Sequence, residues 1–461
     1  MTVNTRSNLH EVRSLFEAQL PDQLKQGLCV VGCTQKKWRV SIPGSKSVTN
    51  RAIVLAMLSG KPLKLEAPLL ADDTWWGFLA LDQLGFDLDL RGMPQAIGIH
   101  PPRPAKKKST NDPQSVLIHV GQAGTLGRFL LAALLNWHKV YPDSLLRSFV
   151  VTADAQLARR PLAPVISALR ELGAGFEVAE GKSFPLSVSV SALRGRCTVD
   201  SSTSGQFLSG VLLAAAGSRN QCRIGRSKTL VQPDYVRMTL QMLADFGARV
   251  DVDSSFEHFT VQEGEWHPPS SYRVEADAST ACYYAALACV LGVDLEVENL
   301  GSGTVQPDFE FISILRQFGF EVEVQQQAFR VWGSRGRANT TSVLKLDLSR
   351  CSDQALTVGV MGIVTSVSVE VHGVAHSFCS NCRALGIAVD ELQDGFRVRS
   401  SVSASALTGD WPTHNDHRFA LSGIVLSAWA SKVRVQNPAC MQKTAPAFVA
   451  QLQSLGVLFG S

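Results

Sequence analysis

Apolar and polar positions along the chain fall into two alternating helical patterns. The first ends on glycine and gives way to the alternating residues of a strand. Its copies are Thr74–Leu84 before Gly85 and Phe86–Leu90, Pro164–Leu172 before Gly173 and Phe176–Val178, Tyr235–Phe246 before Gly247 and Val250–Val252, and Phe309–Phe318 before Gly319 and Val322–Val324. Fainter copies are Leu385–Leu392 before Gly395 and Ala447–Leu455 before Gly456. Glycine suits the left-handed position that closes a helix. The second pattern opens on small polar residues and then turns apolar all round: Ser47–Leu58, Gly124–Leu135, Ser204–Ala215, Ala278–Leu291, Gln354–Thr365 and Asp416–Ala428. A helix with no polar face is buried. Both series recur at intervals of roughly 60–90 residues, the mark of one supersecondary unit repeated. Each unit holds a surface helix, a buried helix and several short strands. Six such units exceed one hydrophobic core, which predicts two domains of three units each.

The polar starts of the buried helices form a set: Ser45-Lys46-Ser47, Gly121-Gln122-Ala123-Gly124-Thr125, Ser201–Gln206, Asp277-Ala278-Ser279-Thr280, Ser352-Asp353 and Asn415-Asp416-His417-Arg418. Helix N-termini expose free N–H groups and a positive dipole end, so they attract anions. In equivalent repeats these ends cluster, and two facing clusters make a cleft for a small, multiply anionic substrate. The stretch Ser41–Arg51 carries this furthest. A strand ends near Ile42, Pro43-Gly44 turns the chain, and a helix starting near Ser47 puts Lys46 at its tip, with Arg51 on the same face as Ser47.

Composition narrows the field. The chain has 461 residues, 45% hydrophobic and 18% charged, with a formal net charge of +4. That balance suits a globular protein and does not by itself argue for nucleic acid. The basic run Lys106-Lys107-Lys108 lies in a stretch, Gly92–Ser115, read as a solvated surface loop. Ten scattered cysteines, with no framework of spacings, point to reduced thiols and a cytoplasmic setting. Cys379-Ser380-Asn381-Cys382 has no second ligand pair for zinc, so no metal site is expected. Residues 1–36 read as an N-terminal extension that is neither signal nor transit peptide. No apolar run is long enough to predict a membrane span.

Several motifs, in order, resemble those of the 5-enolpyruvylshikimate-3-phosphate synthase family of enolpyruvyl transferases. They are Pro43-Gly44-Ser45-Lys46-Ser47-x-x-Asn50-Arg51, Gly121-x-Ala123-Gly124-Thr125-x-x-Arg128, Arg160-Pro161-Leu162, Ser204-x-Gln206-Phe207-Leu208, Asp277-Ala278-Ser279, Asp353, Arg383, Asn415-Asp416-His417-Arg418 and Lys443-Thr444. The resemblance implies an α/β fold, a two-domain inside-out α/β barrel with three βαβαββ repeats in each domain. Residues 37–45 plus 275–461 would form one domain and 46–274 the other. It implies a monomer that takes phosphoenolpyruvate and shikimate 3-phosphate, or a related alcohol, as substrates, without a cofactor. By the same resemblance Lys46, Gly124, Arg128, Arg160, Gln206, Arg383, Arg418 and Lys443 would bind phosphoenolpyruvate. Ser47, Arg51, Ser204, Gln206, Tyr235 and Asp353 would bind the acceptor, and Lys46, Asp353 and Arg383 would carry the chemistry. Arginine forks suit such a ligand, because each gives paired, charge-assisted bonds to carboxylate and phosphate.

The chain departs from the family pattern in two places. Where the family carries Lys-Glu-x-Asp before an arginine, Cys379-Ser380-Asn381-Cys382 precedes Arg383, and a serine hydroxyl cannot replace the glutamate as acid and base. Gly205 and Gln232 stand where the family has phosphate-binding serines. Three readings stay open on these residues: a transferase with a rebuilt proton shuttle, a lyase acting on a shikimate-like ring in the same cleft, and a non-catalytic paralogue that binds anions. The full set of cations favours the first.

Overall fold

The structure is a computed structural model and describes residues 9–103, 114–334, 343–374, 378–399 and 402–460. The chain divides into two compact units, Gly44–Glu275 with the N-terminal residues to Leu15, and Phe16–Pro43 with Ala276–Ser461. The six apolar patterns are the buried helices. In the first unit they are α1 (Lys46–Ser59), α2 (Gly124–Leu135) and α3 (Gly205–Gly217). In the second they are α4 (Ala278–Leu291), α5 (Ala355–Thr365) and α6 (His417–Trp429). Within each unit the three pack on one another, so helices form the centre and sheets the outside. Every residue of α2 is buried, which is why its sequence shows no polar stripe.

The repeat is visible in the sheets. Among the described residues there are six, each of four strands, and each joins one parallel pair to two antiparallel pairings. In one of them Gly195–Val199 pairs in parallel with Cys222–Arg226, which pairs antiparallel with His258–Val261, and that with Val250–Val252. A parallel pair needs a crossover, and here α3 supplies it. The surface helices close on left-handed glycines at Gly85, Gly173, Gly247, Gly319, Gly386 and Gly456.

Three expectations change. The fifth closing glycine is Gly386 and not Gly395: its helix is Phe378–Ala384, and Val389–Leu392 is already strand. Gly395 begins the return strand so close to the Val371 carbonyl that a Cβ would collide with it. The stretch Gly92–Ser115 is not wholly loop. Ala96–His100 is a strand between Leu63–Glu66 and Asp87–Asp89, and it buries Ile97 and Ile99 on one face. The basic run that follows lies outside the described residues. Finally, much of 1–36 is part of the second unit. Gly27–Cys33 completes a sheet with Val433–Gln436 and Val457–Gly460, burying Leu28 and Val30.

Two strands are exchanged along the chain. Lys37–Val40 pairs in parallel with Asp294–Val297 in the second unit, and Ser271–Arg273 pairs in parallel with Leu63–Glu66 in the first. The connections are anchored within each unit: Ser45 N–H donates to the Glu275 carbonyl at 2.7 Å, and Asp277 N–H to the Pro43 carbonyl at 2.8 Å. Gly44 cannot carry a side chain, because a Cβ would collide with the Ala67 carbonyl. Among the described residues no helix is long and apolar enough to cross a membrane.

Candidate active site

In the first unit the polar starts of α1, α2 and α3 gather cations. Lys46 opens α1, and its ammonium lies 3.6 Å from the carboxylate of Asp73, in the first turn of the helix Asp72–Gln83. Gly124 opens α2. A Cβ there would stand 3.2 Å from Arg128 Nη1 and 3.4 Å from Arg160 Nη1, so the two guanidiniums come together over the bare helix start. Arg128 is buried and lies over the ring of Phe207. Its Nη1 donates to the Gly124 carbonyl at 2.8 Å and to Gln206 Oε1 at 3.1 Å, and its Nη2 to the Pro161 carbonyl at 3.4 Å. Its Nε is buried without an acceptor. Among the described residues no carboxylate bonds either arginine. Burial, and then the neighbouring charge of Arg160, lower the Arg128 guanidinium to about 10. Arg128 is buried and Arg160 exposed beside it; burying one cation against a second without a counter-charge is costly, and an anion would relieve the cost.

The expected acceptor residues fall in two groups. Ser204 caps α3, accepting from Gln206 N–H, and Gln206 in turn lies 3.5 Å from Thr125 Oγ1. Arg51 is sealed in the interior at 1% exposure. It donates to Thr239 Oγ1 and to the carbonyls of Ser47 and Tyr235, and it stacks on Phe129. Arg51 therefore ties α1 to the helix Pro233–Asp245 and holds the backbone of Ser47 and Tyr235. Burial lowers its guanidinium to about 10. Gly205 meets a wall of backbone: a Cβ there would stand 2.6 Å from the Val231 carbonyl and 3.1 Å from that of Gln232. The turn at Gln232, with φ of 55°, fills the space a serine side chain would need.

The second unit gathers carboxylates instead. Asp277 caps α4, accepting from Thr280 N–H at 2.7 Å. Asp353, in the turn before α5, accepts from Arg418 Nη1 at 2.9 Å. Asp416 caps α6 and binds the same guanidinium through both oxygens. Burial pulls the Asp416 carboxyl upward, but the hydrogen bonds and charge of Arg418 outweigh it and hold it well below the usual range. Lys443 reaches the Asn415 carbonyl at 3.4 Å, on the loop that leads into α6. Asp353, Arg418 and Lys443 are thus attached to one loop-and-helix-start system.

Arg383 is not part of that system. It sits in the last turn of Phe378–Ala384, half-exposed, 3.4 Å from Glu391. The closing glycines explain why. Arg383 precedes Gly386 as Arg170 precedes Gly173 and Arg316 precedes Gly319. Those two arginines bond the carbonyls of Phe176 and Val322, in strands that follow their own helices. Arg383 thus holds the place of the surface-helix arginine in its repeat. Cys379 and Cys382 are buried thiols whose proton affinity burial raises, despite the charge of Arg383, so neither is an activated nucleophile. All ten cysteines are free. Among the described residues no group of His, Cys, Asp or Glu is placed to hold a metal ion.

Sequence reasoning missed Asp73 and Asp308. Both sit among residues that merely signal a helix start, Asp72-Asp73-Thr74 and Gln306-Pro307-Asp308, and burial is what sets them apart.

Known proteins agree with this architecture. The sequence model of the family described as EPSP synthase (3-phosphoshikimate 1-carboxyvinyltransferase) matches residues 33–452. The 3-phosphoshikimate 1-carboxyvinyltransferase 2 of Halalkalibacterium halodurans is 30% identical over 441 residues, covering 91% of this chain and 92% of its own. The 3-phosphoshikimate 1-carboxyvinyltransferase of Syntrophobacter fumaroxidans is 30% identical over 424 residues, covering 89% and 95%. Two solved structures share the fold. The EPSP synthase of Acinetobacter baumannii has a TM-score of 0.73 at 18% identity, covering 94% of this chain and 99% of that one. The enolpyruvyl transferase NikO of Streptomyces tendae has a TM-score of 0.70 at 14% identity, covering 94% and 98%. With six repeated sheets around two sets of buried helices, and a match spanning nearly all of both, the chain belongs to the EPSP synthase (3-phosphoshikimate 1-carboxyvinyltransferase) family.

Proposed function

We propose that this protein transfers the carboxyvinyl group of phosphoenolpyruvate to a hydroxyl of shikimate 3-phosphate or a closely related alcohol. The observation that carries the reading is the pair Arg128 and Arg160 over the start of α2, where the buried Arg128 and its exposed neighbour meet no carboxylate among the described residues. Phosphoenolpyruvate supplies both a carboxylate and a phosphate for such a cluster. By the family resemblance Lys46, Gly124, Arg128, Arg160, Gln206, Arg418 and Lys443 bind it. Asp353 takes the proton of the acceptor hydroxyl as its oxygen attacks C2, while C3 gains a proton from solvent water. Loss of phosphate from C2 and of a proton from C3 then restores the double bond. Lys46 protonates the departing phosphate. Each charge-assisted bond in such a site contributes roughly 1.5–3 kcal/mol.

Ser47, Ser204 and Tyr235 contact the acceptor, and Arg51 holds two of them by their backbone. The filled space beside Gly205 supports an acceptor whose phosphate or ring is seated differently from that of shikimate 3-phosphate. The deciding experiment is mass spectrometry of products from phosphoenolpyruvate incubated with shikimate 3-phosphate and a panel of shikimate-like alcohols. A carboxyvinyl adduct with release of phosphate is the expected result. Phosphate without an adduct would mean hydrolysis, and loss of water or phosphate from the ring alone would mean a lyase; either overturns the reading.

A further inference from the structure

The turn Pro307–Phe309 joins the starts of two buried helices. Gln306 just before it clamps α4, its Oε1 accepting from Ala278 N–H at 3.1 Å and its Nε2 donating to the Ala276 carbonyl at 2.6 Å. Asp308 then bridges the helices. The hydroxyl of Ser279, in the first turn of α4, and Nε2 of Gln354, beside Asp353, both bond its Oδ2, the latter at 3.5 Å. Gln354 is fully buried and takes a further bond from Thr357 Oγ1 at 3.2 Å. Asp308 itself is 2% exposed, and its Oδ1 is buried without any partner.

An ionised carboxylate in that position would be poorly served. It has room for about four donors and has two. The charged neighbours are of its own sign: Asp277 at the cap of α4 and Asp353 in the turn before α5. Cys282 and Tyr283 of α4 and Cys351 of that turn also face it, and burial keeps all three protonated. Of the cations nearby, Arg418 is bonded to Asp353 and Asp416, and Arg350 acts on Cys351. An uncharged acid fits, with its proton shared with the Ser279 hydroxyl. Burial, and then the charge of Asp353, push the Asp308 carboxyl up to about 7.

We propose that Asp308 is a positioning residue for Asp353: as an uncharged acid bonded to Ser279 and Gln354, it fixes the turn that presents the base. The proposal rests on the reading of Asp353 as the proton acceptor of carboxyvinyl transfer. Loss of the Asp308 proton puts a second negative charge beside Asp353, where anionic substrates must bind. The reaction then has an alkaline limit set by a residue that never touches substrate.

The test is the pH profile of kcat/KM for adduct formation with wild type, Asp308→Asn and Ser279→Ala. Wild type should lose about tenfold per pH unit above the Asp308 transition. Asp308→Asn, a fixed mimic of the neutral acid, should remove that limb. Ser279→Ala should move it to higher pH, because the serine hydrogen bond favours the charged form. An unchanged limb in Asp308→Asn, or a downward move in Ser279→Ala, overturns the proposal. Thermal melting against pH reads the same proton without any turnover. The native carboxyl holds its proton to about 7, whereas an unfolded one releases it near the ordinary 3.8. The native state therefore binds more protons between those values, and stability falls as pH rises through them. Melting temperature should drop from about pH 5 to 8 in wild type and drop less in Asp308→Asn. Parallel curves would sink the role of Asp308 even if product forms. A wild type that makes no adduct at any pH would instead sink the transferase reading, and the melting curves would still decide the protonation of Asp308.

Discussion

The two units share an architecture and differ in the charge they place on it. Each has three buried helices whose starts cluster, so each offers the same arrangement of free N–H groups. The first unit decorates those starts with Lys46, Arg128 and Arg160, and Asp73 pairs with Lys46. The second decorates them with Asp277, Asp308, Asp353 and Asp416, held in check by Arg418. Helix dipoles would favour negative charge at all six places. The first unit leaves that preference unsatisfied inside the protein, and the second satisfies it with its own side chains. On the proposed function, a unit of the first kind receives an anion. A unit of the second kind is built to hold carboxylates in fixed protonation states, which is what proton transfer needs.

That contrast can be broken most sharply at its catalytic end. Asp353→Asn should cut kcat by about 10²–10⁴-fold while leaving phosphoenolpyruvate affinity almost unchanged, as measured by steady-state kinetics and calorimetry. A comparable loss of affinity would mean that the second unit's carboxylates bind rather than catalyse. The first unit should show the reverse. Arg128→Met should weaken phosphoenolpyruvate binding by roughly ten- to a hundredfold, the value of one charge-assisted bond. It should also hold or raise the melting temperature, since an uncompensated buried charge gives way to an apolar side chain of similar reach. A marked fall in melting temperature would make Arg128 a structural residue.

Gly205→Ser sharpens the acceptor side. Restoring the hydroxyl typical of the family should cost about 1–3 kcal/mol of stability through collision with the Val231 carbonyl, read by chemical denaturation. A neutral or stabilising outcome would show that the turn at Gln232 yields. The smallest effect should come from Arg383→Ala. Its partner Glu391 is exposed, so stability should change by no more than about 0.5 kcal/mol, with affinity for phosphoenolpyruvate unaltered. A large loss of affinity would return Arg383 to the site.

Much of the architecture is written in the spacing of apolar residues and glycines. All six buried helices lie within a few residues of their predicted bounds, because a helix buried on every side leaves no polar face to confuse the pattern. The strand Ala96–His100 escaped because proline and the lysine run nearby suggested loop, while only Ile97 and Ile99 mark the buried face. Arg383 was legible only as part of a motif, whereas the structure shows it in the last turn before the glycine that ends its surface helix, paired with Glu391. Asp308 escaped for a different reason. Nothing in Gln306-Pro307-Asp308 separates a capping aspartate in water from one locked under two helices, and that difference changes its chemistry.

The strand Gly27–Cys33 is made long before the strands it pairs with. Its neighbours are Val433–Gln436 and Val457–Gly460, at the far end of the sequence. Lys37–Val40 must likewise wait for Asp294–Val297. Meanwhile the whole of Gly44–Glu275 can emerge and complete its sheets, with Ser271–Arg273 closing the first of them. During synthesis the ribosome therefore releases a finished first unit while the edge of the second trails unpaired, and such long-range pairings close slowly.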